Sequence, residues 1–257
     1  MTPVIPVLLY HSVSDRPPQS DAWGAVSRAD FAAHVEAISA SGRVAIAITS
    51  LAAALRAEQP LPDRPVAVTF DDGFADTYDA VELLRRHGLV STVYVTTGEV
   101  GARNRLSPRQ LDALASLPGI EVGAHGVRHR RLDELDDGEL AQELCASKSQ
   151  LEELTQQSIR SFAYPHGSYD ERVRGAVIAA GYGSAAAVKN AVSHPGDDPF
   201  AIARWTVTDG TPAARLAQVL EGEGVPLAWA HERLRTRAYR TARRQRRRLF
   251  KSIGARC

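Results

Sequence analysis

Two aspartates stand side by side in "TFDDG", Asp71 and Asp72, at the end of the apolar run "PVAVTF". Adjacent carboxylates repel, and a fold tolerates that more readily where a metal or a shared proton offsets it. Further along, "AHGVRH" places His125 and His129 four residues apart. A short helical turn there would point both rings the same way. Two imidazoles and one carboxylate make a three-ligand set for a divalent metal, with positions left for water or substrate. The second carboxylate then stays free as a base, and a metal alongside lets both aspartates remain charged near neutral pH. Each feature has a plainer competitor. The aspartates could cap the helix that follows in "FADTYDAVELL". The histidines could be surface residues among Arg128, Arg130 and Arg131.

The elements that must position these residues alternate. Strands are predicted at Val4 to Tyr10 and at "RVAIAI", "RPVAVTF", "LVSTVYVT", "GIEVGAHG", "IRSFAY", "YGSAAAV" and "FAIARWTV". Helices fall between most of them. One begins at Ser27, with Asp30 three residues on and Phe31, Val35 and Ile38 on one face. One follows Thr49 as its cap, and one runs from Ala75 to Arg86. Ser107, Pro108 and Gln110 give a capping box with proline in the first turn. Three more are predicted over 137–157, 170–180 and 212–220. Strands and helices in alternation mean a parallel sheet, open or closed into a barrel. Four polar clusters, "YHS" at 10–12, "DDG" at 71–73, "AHGVRH" at 124–129 and "YPHG" at 164–167, sit at strand ends. In a parallel sheet or barrel the C-terminal strand ends share the face that carries the site.

In this order the motifs resemble the polysaccharide deacetylases of the NodB-homology type, over about residues 4 to 210. The resemblance implies a single-domain distorted (β/α) barrel of about seven parallel strands. It implies a metal-dependent carbohydrate N-deacetylase, removing an N-acetyl group from an amino sugar or glycan by attack of a zinc-bound water. By the same resemblance Asp71 is the general base, and Asp72, His125 and His129 hold Zn²⁺ or another divalent transition metal. His166, in "AYPHG", supplies a backbone N–H to the oxyanion. Ala163 stands where an arginine often pairs with the base. Arg204 in "AIARW" is the candidate to replace it; the competing reading is an ordinary strand-end arginine. The family's general-acid motif, L-x-H, fits Leu9–Tyr10–His11 on the first strand, as in a branch with permuted motif order. His231, in "LAWAHERL", does not fit the spacing. A core histidine is the alternative for His11.

Length and charge set outer bounds. The chain has 257 residues and 44% hydrophobic content, enough for one barrel, which needs about 250 residues. Two cysteines, Cys145 and Cys257, make no disulfide framework, which favours a reduced compartment. The start "MTPVIPVLLYHS" lacks a basic n-region, so no signal peptide is expected. Ten Arg and one Lys lie between Arg233 and Arg256, with no acid among them. The rest of the chain is left with twenty bases against thirty acids. We therefore expect a barrel over 1–230 and a basic helix or tail over 231–257. Such a tail suits an anionic membrane surface or docking on the acidic body; no specific nucleic acid is expected. The expected location is cytoplasmic, possible at the inner membrane face. Two alternatives follow: a deformylase or deacetylase of a lipid-linked amino sugar, and an inactive carbohydrate-binding relative.

Overall fold

The segment Pro65–Phe70 is buried at every position, because one face of the strand looks into a barrel and the other lies under helices. This computed structural model describes residues 3–17, 22–229 and 243. Its elements in chain order are β1 (Val7–Tyr10), α1 (Arg28–Ala40), β2 (Val44–Ala45), α2 (Ile48–Leu55), β3 (Pro65–Phe70) and α3 (Thr77–Arg86). Then come β4 (Ser91–Val95), α4 (Pro108–Ala115), β5 (Ile120–Ala124), α5 (Asp137–Thr155), β6 (Ser161–Ala163), α6 (Glu171–Ala179), β7 (Ser184–Val188), β8 (Ile202–Thr206) and α7 (Ala213–Leu220). All ladders between these strands are parallel. The order β1-β8-β7-β6-β5-β4-β3 closes because β1 also pairs with β3. The result is a seven-stranded distorted (β/α) barrel, with β2 hanging on β3 outside the ring.

Alternation along the strands divides the core. Leu8, Tyr10, Val66, Val68, Phe70, Val93 and Val95 pack outward in the large cluster shared with the helices. Val7, Ala67, Tyr94, Ala163, Ala186 and Ile202 fill the interior. The interior strands carry small residues, and the space goes to Tyr94 and Arg204, both fully buried. Gly123 is part of that arrangement: a Cβ there would lie 2.6 Å from the Tyr94 ring. Ile48, Leu51 and Ala52 of α2 join the interior cluster, so α2 plugs the N-terminal end of the barrel.

The capping box of α4 forms as its sequence predicts, between Ser107 and Gln110. Four local expectations give way. Thr49 does not cap α2; Ala47 holds that position, and Thr49 donates through its N–H and hydroxyl to Glu121 of β5. The helix expected from Ala75 starts at Thr77, because the chain still turns through Gly73. The first strand begins at Val7 rather than Val4, and the second shrinks to Val44–Ala45. Of the tail, only Arg243 lies among the described residues, where it pairs with Glu134 at 3.0 Å.

Candidate metal centre and cleft

Asp72 leaves β3 with φ +71°, and Gly73 repeats the same φ. The left-handed region is costly for a non-glycine residue, least so for Asp and Asn, and such residues gather at functional sites. The double turn separates the two carboxylates. Asp71 points into the barrel, continuing the inward row of Ala67 and Thr69, while Asp72 lies at the mouth. His125 follows β5, with its N–H bound to Val95 O at 3.0 Å. The stretch from His125 to His129 is not the helical turn its spacing suggests. It is a loop with Gly126 at φ +76° and His129 at φ +51°. Glu143 of α5 secures it by accepting from the N–H groups of Val127 (2.7 Å) and Arg128 (3.0 Å). The loop after β4 braces it from the other side, where Gly98 N–H donates to Val127 O at 2.9 Å. A Cβ on Gly98 would sit 2.4 Å from that oxygen, so only glycine allows the approach.

These turns bring Asp72, His125 and His129 together. Asp72 Oδ1 is 3.5 Å from His125 Nε2 and 3.3 Å from His129 Nε2. One ligand atom from each residue falls within 4.8 Å of the others. Bonds of about 2.0–2.1 Å at tetrahedral angles put neighbouring ligand atoms ~3.4 Å apart, so the set fits a small divalent ion. Two further observations agree. Asp72 Oδ1 is buried and has no hydrogen-bond partner. His125 Nδ1 lies 2.8 Å from Ala163 O, which fixes the proton on Nδ1 and leaves the Nε2 lone pair facing the cluster. Burial pushes the His125 pKa down to about 3, so the ring is a neutral ligand. Burial and the neighbouring Asp71 charge push Asp72 up to about 6, although His11 opposes them; a cation at this point reverses the cost.

Asp71 is in a different state. Arg204 reaches it from β8 with two parallel bonds, Nη1 to Oδ1 at 2.6 Å and Nη2 to Oδ2 at 2.8 Å. The arginine is fully buried, not a surface strand-end residue. It also donates to Thr69 Oγ1 at 3.2 Å and to Ala187 O at 3.3 Å. Burial alone would raise Asp71, but the charge and the two hydrogen bonds of Arg204 outweigh it and hold the carboxyl at about 2. Asp71 Oδ2 lies 3.7 Å from His125 Nε2.

His11 directly follows β1 beside this group, and its Nδ1 is buried with no hydrogen-bond partner among the described residues. His166 has φ +58°. Its ring packs on His129 with centroids 4.4 Å apart, and its Nε2 is 3.2 Å from His129 O. Leu9, His11, Trp23, Asp71, Asp72, His125, His129, His166 and Trp205 are among the residues lining one cleft of about 490 Å³. Every site residue expected from the sequence therefore converges there, apart from Arg204, which lies beneath the floor behind Asp71. His231 lies outside the described residues. The sequence reading missed Glu143, whose signal was an acid on the otherwise uncharged stripe Leu140, Leu144, Ser147, Leu151, Thr155 of α5.

Residues 58–185 match the polysaccharide deacetylase family. The chain belongs to that family. The match spans Asp71, Asp72, His125, His129 and His166; His11 and Arg204 fall outside it. YxkH of Bacillus subtilis (strain 168), which carries a polysaccharide-deacetylase name, is 24% identical over 218 residues, 84% of this chain and 76% of its own. Among solved structures, the Streptococcus pyogenes deacetylase PplD in complex with acetate superposes with a TM-score of 0.77. Identity is 20%, with 86% of this chain and 99% of that one covered. BC0361, a polysaccharide deacetylase from Bacillus cereus, gives 0.75 at 22% identity, covering 84% and 69%. These likenesses show the fold. Family and fold agree with a hydrolase of the metal-dependent carbohydrate-esterase type, and Asp72, His125 and His129 form its candidate metal site.

Proposed function

We propose that this family member removes N-acetyl groups from an amino sugar or glycan by hydrolysis. The observation that carries the reading is the division of labour between adjacent aspartates: Asp72 faces two imidazoles, while Asp71 is gripped by Arg204. Asp72, His125 and His129 would hold the ion, which we take to be zinc. When bound, it supplies Lewis acidity toward the amide carbonyl and toward water. Asp71 accepts the proton of the attacking water at Oδ2, the oxygen nearer the cluster. Arg204 orients that carboxylate and keeps it ionised. The backbone N–H of His166 faces the carbonyl oxygen as it becomes an oxyanion. His11 gives a proton to the departing nitrogen. Water is added across the C–N bond, and acetate and a free amine leave.

Zinc content by elemental analysis, with acetate release from acetylated amino sugars, tests the reading. His125→Ala and His129→Ala should lose both. Full occupancy and full release in both variants would sink it.

A second reading rests on the basic tail. Eleven cations and no acid between Arg233 and Arg256 suit an anionic membrane, at ~1 kcal/mol per residue near the surface. From the cytoplasmic side this would bring a lipid-linked amino sugar, acetylated or formylated, to the cleft. No helix among the described residues is long and apolar enough to cross a membrane; the attachment proposed is peripheral, through the charge of the tail. Sedimentation with anionic liposomes at low salt, reversed at high salt, is the expected result. If the protein ignores such liposomes, docking on the acidic body explains the tail, as the Arg243–Glu134 pair already does for one residue.

A further inference from the structure

A single exposed apolar side chain needs no explanation, but Trp23 is exposed in a telling place. Four large apolar side chains are exposed among the described residues: Trp23, Val44, Ile178 and Leu227. Of these only Trp23, at 64%, lines the cleft that holds the metal-site residues. It sits in a 3-10 turn, Ala22–Gly24, between β1 and α1. The turn is seated on His11. The indole meets the imidazole with centroids 4.8 Å apart and planes at 61°. Gly24 abuts the same ring, and a Cβ there would lie 3.3 Å from its Cγ and Nδ1. Trp23 is thus held against His11 on one side, is otherwise largely exposed, and is among the residues that line the cleft.

The rest of the lining indicates what would cover it. Trp205, Leu9 and Val188 line it together with Asn190, Thr206 and Thr208. Asn190 Oδ1 accepts from Thr206 N–H at 3.1 Å, which leaves the amide NH₂ as a donor. Aromatic faces beside single amide and hydroxyl groups match a pyranose. The C–H face of such a ring is apolar and weakly positive, and the indole face is weakly negative. Its hydroxyls project from the edge, toward polar side chains. Among the described residues that line this cleft there is no Lys or Arg.

We propose that Trp23 is a stacking platform for a pyranose ring of the substrate, on the side of His11. The proposal rests on the deacetylase reading for its orientation: the stacked sugar lies where the amine departs. It adds where a second ring of the substrate lies: on the indole, while the first presents its amide to Asp71. The cleft volume of about 490 Å³ is within the ~300–1,000 Å³ of sites that take ligands larger than one small ring.

The test uses the full-length, zinc-loaded protein with N-acetylglucosamine, its tetramer and a small aryl acetate. Trp23→Ala should raise KM for the tetramer about tenfold or more, the scale of one lost aromatic stack. The loss on the tetramer should exceed the loss on the aryl acetate, and Trp23→Phe should recover most of it. Calorimetric titration of the tetramer into Asp71→Asn, with and without Trp23→Ala, reads binding without turnover. Turnover of the tetramer with no change in KM or affinity in Trp23→Ala would overturn the platform and leave the deacetylase reading intact. Trp23-dependent binding by a wild-type protein that releases no acetate would do the reverse. Equal losses with Phe and Ala, or no binding by the protein with Trp23 intact, would also overturn the platform.

Discussion

Arg204 holds both carboxylate oxygens of Asp71, at 2.6 and 2.8 Å, from the opposite side of β1. The two strands that carry them, β8 and β3, meet only because β1 closes the ring between them. A carboxylate that stays charged in a dry interior is thereby paired from a strand far away in sequence. Removing one member of a buried pair leaves the other charge uncompensated, at about 3–5 kcal/mol. Arg204→Met should therefore lower unfolding free energy by roughly that amount in urea titrations. Adding Asp71→Asn to it should restore a substantial part, since no charge is then stranded. Additive losses in the double variant would mean that the two groups are not coupled.

The histidine-bearing loop depends on Glu143. Its carboxylate takes the N–H groups of Val127 and Arg128, between the two imidazoles. Supporting groups one step behind metal ligands are worth about 10–100-fold in affinity. Glu143→Ala should weaken zinc binding on that scale in a chelator competition, while Glu143→Gln, which keeps one acceptor oxygen, should lose less. Unchanged affinity in both variants would show that Gly98 and the backbone hold the loop without it.

Much of the fold was legible in the sequence, and the reasons for the exceptions are physical. Buried strands announce themselves as apolar runs, and their polar ends mark one face. The spacing of His125 and His129 was legible, but not the backbone that uses it. A left-handed His129 is invisible in one-letter code, and only Gly126 hints at the loop. Thr49 looks like a helix cap because capping is a local signal. Its real partner, Glu121, is set by how α2 plugs the barrel, which no local pattern contains. The seven barrel strands that the resemblance implies are present, but composition does not say which of the eight strand segments stays out: "RVAIAI" has strand composition, yet the ring closes through β1 and leaves it outside. Arg204 was suggested by the absence of an arginine at Ala163, and its full burial required the closed barrel to be seen.

His34 makes stability depend on pH. On α1, it lies under Tyr10 and Thr211, with Nδ1 3.2 Å from the Tyr10 hydroxyl and Nε2 2.8 Å from Thr211 O. Nε2–H donates to the carbonyl, and Nδ1 accepts from tyrosine. Burial lowers its pKa, against smaller opposite effects from the Thr211 bond and Asp30. The unfolded chain therefore binds the proton more readily than the folded one. The stabilisation is complete above the unfolded value of about 6.5 and is lost as pH falls below it. Thermal midpoints should drop from pH 7 to pH 5. His34→Gln, which can still donate and accept, should flatten that part of the curve. An identical slope in the variant would assign the acid sensitivity to other groups.

The role proposed for His11 can be separated from packing. Burial pushes its pKa down, while the Asp71 and Asp72 charges pull it up and Arg204 and His129 push it down again. The ring is fixed by Gly24 and Trp23, and its Nδ1 has no hydrogen-bond partner among the described residues. A donor so placed is needed when the leaving nitrogen is a poor leaving group and is dispensable when it is not. His11→Ala should retain zinc and lower kcat on an N-acetyl sugar by ~10²–10⁴-fold, the range for a lost general acid. On an activated aryl ester, whose phenolate departs without protonation, the loss should be much smaller. Asp71→Asn gives the contrast, because water must still be deprotonated for either substrate, so both rates should fall together. Equal losses on amide and ester in His11→Ala would show that the ring supports the site without donating a proton.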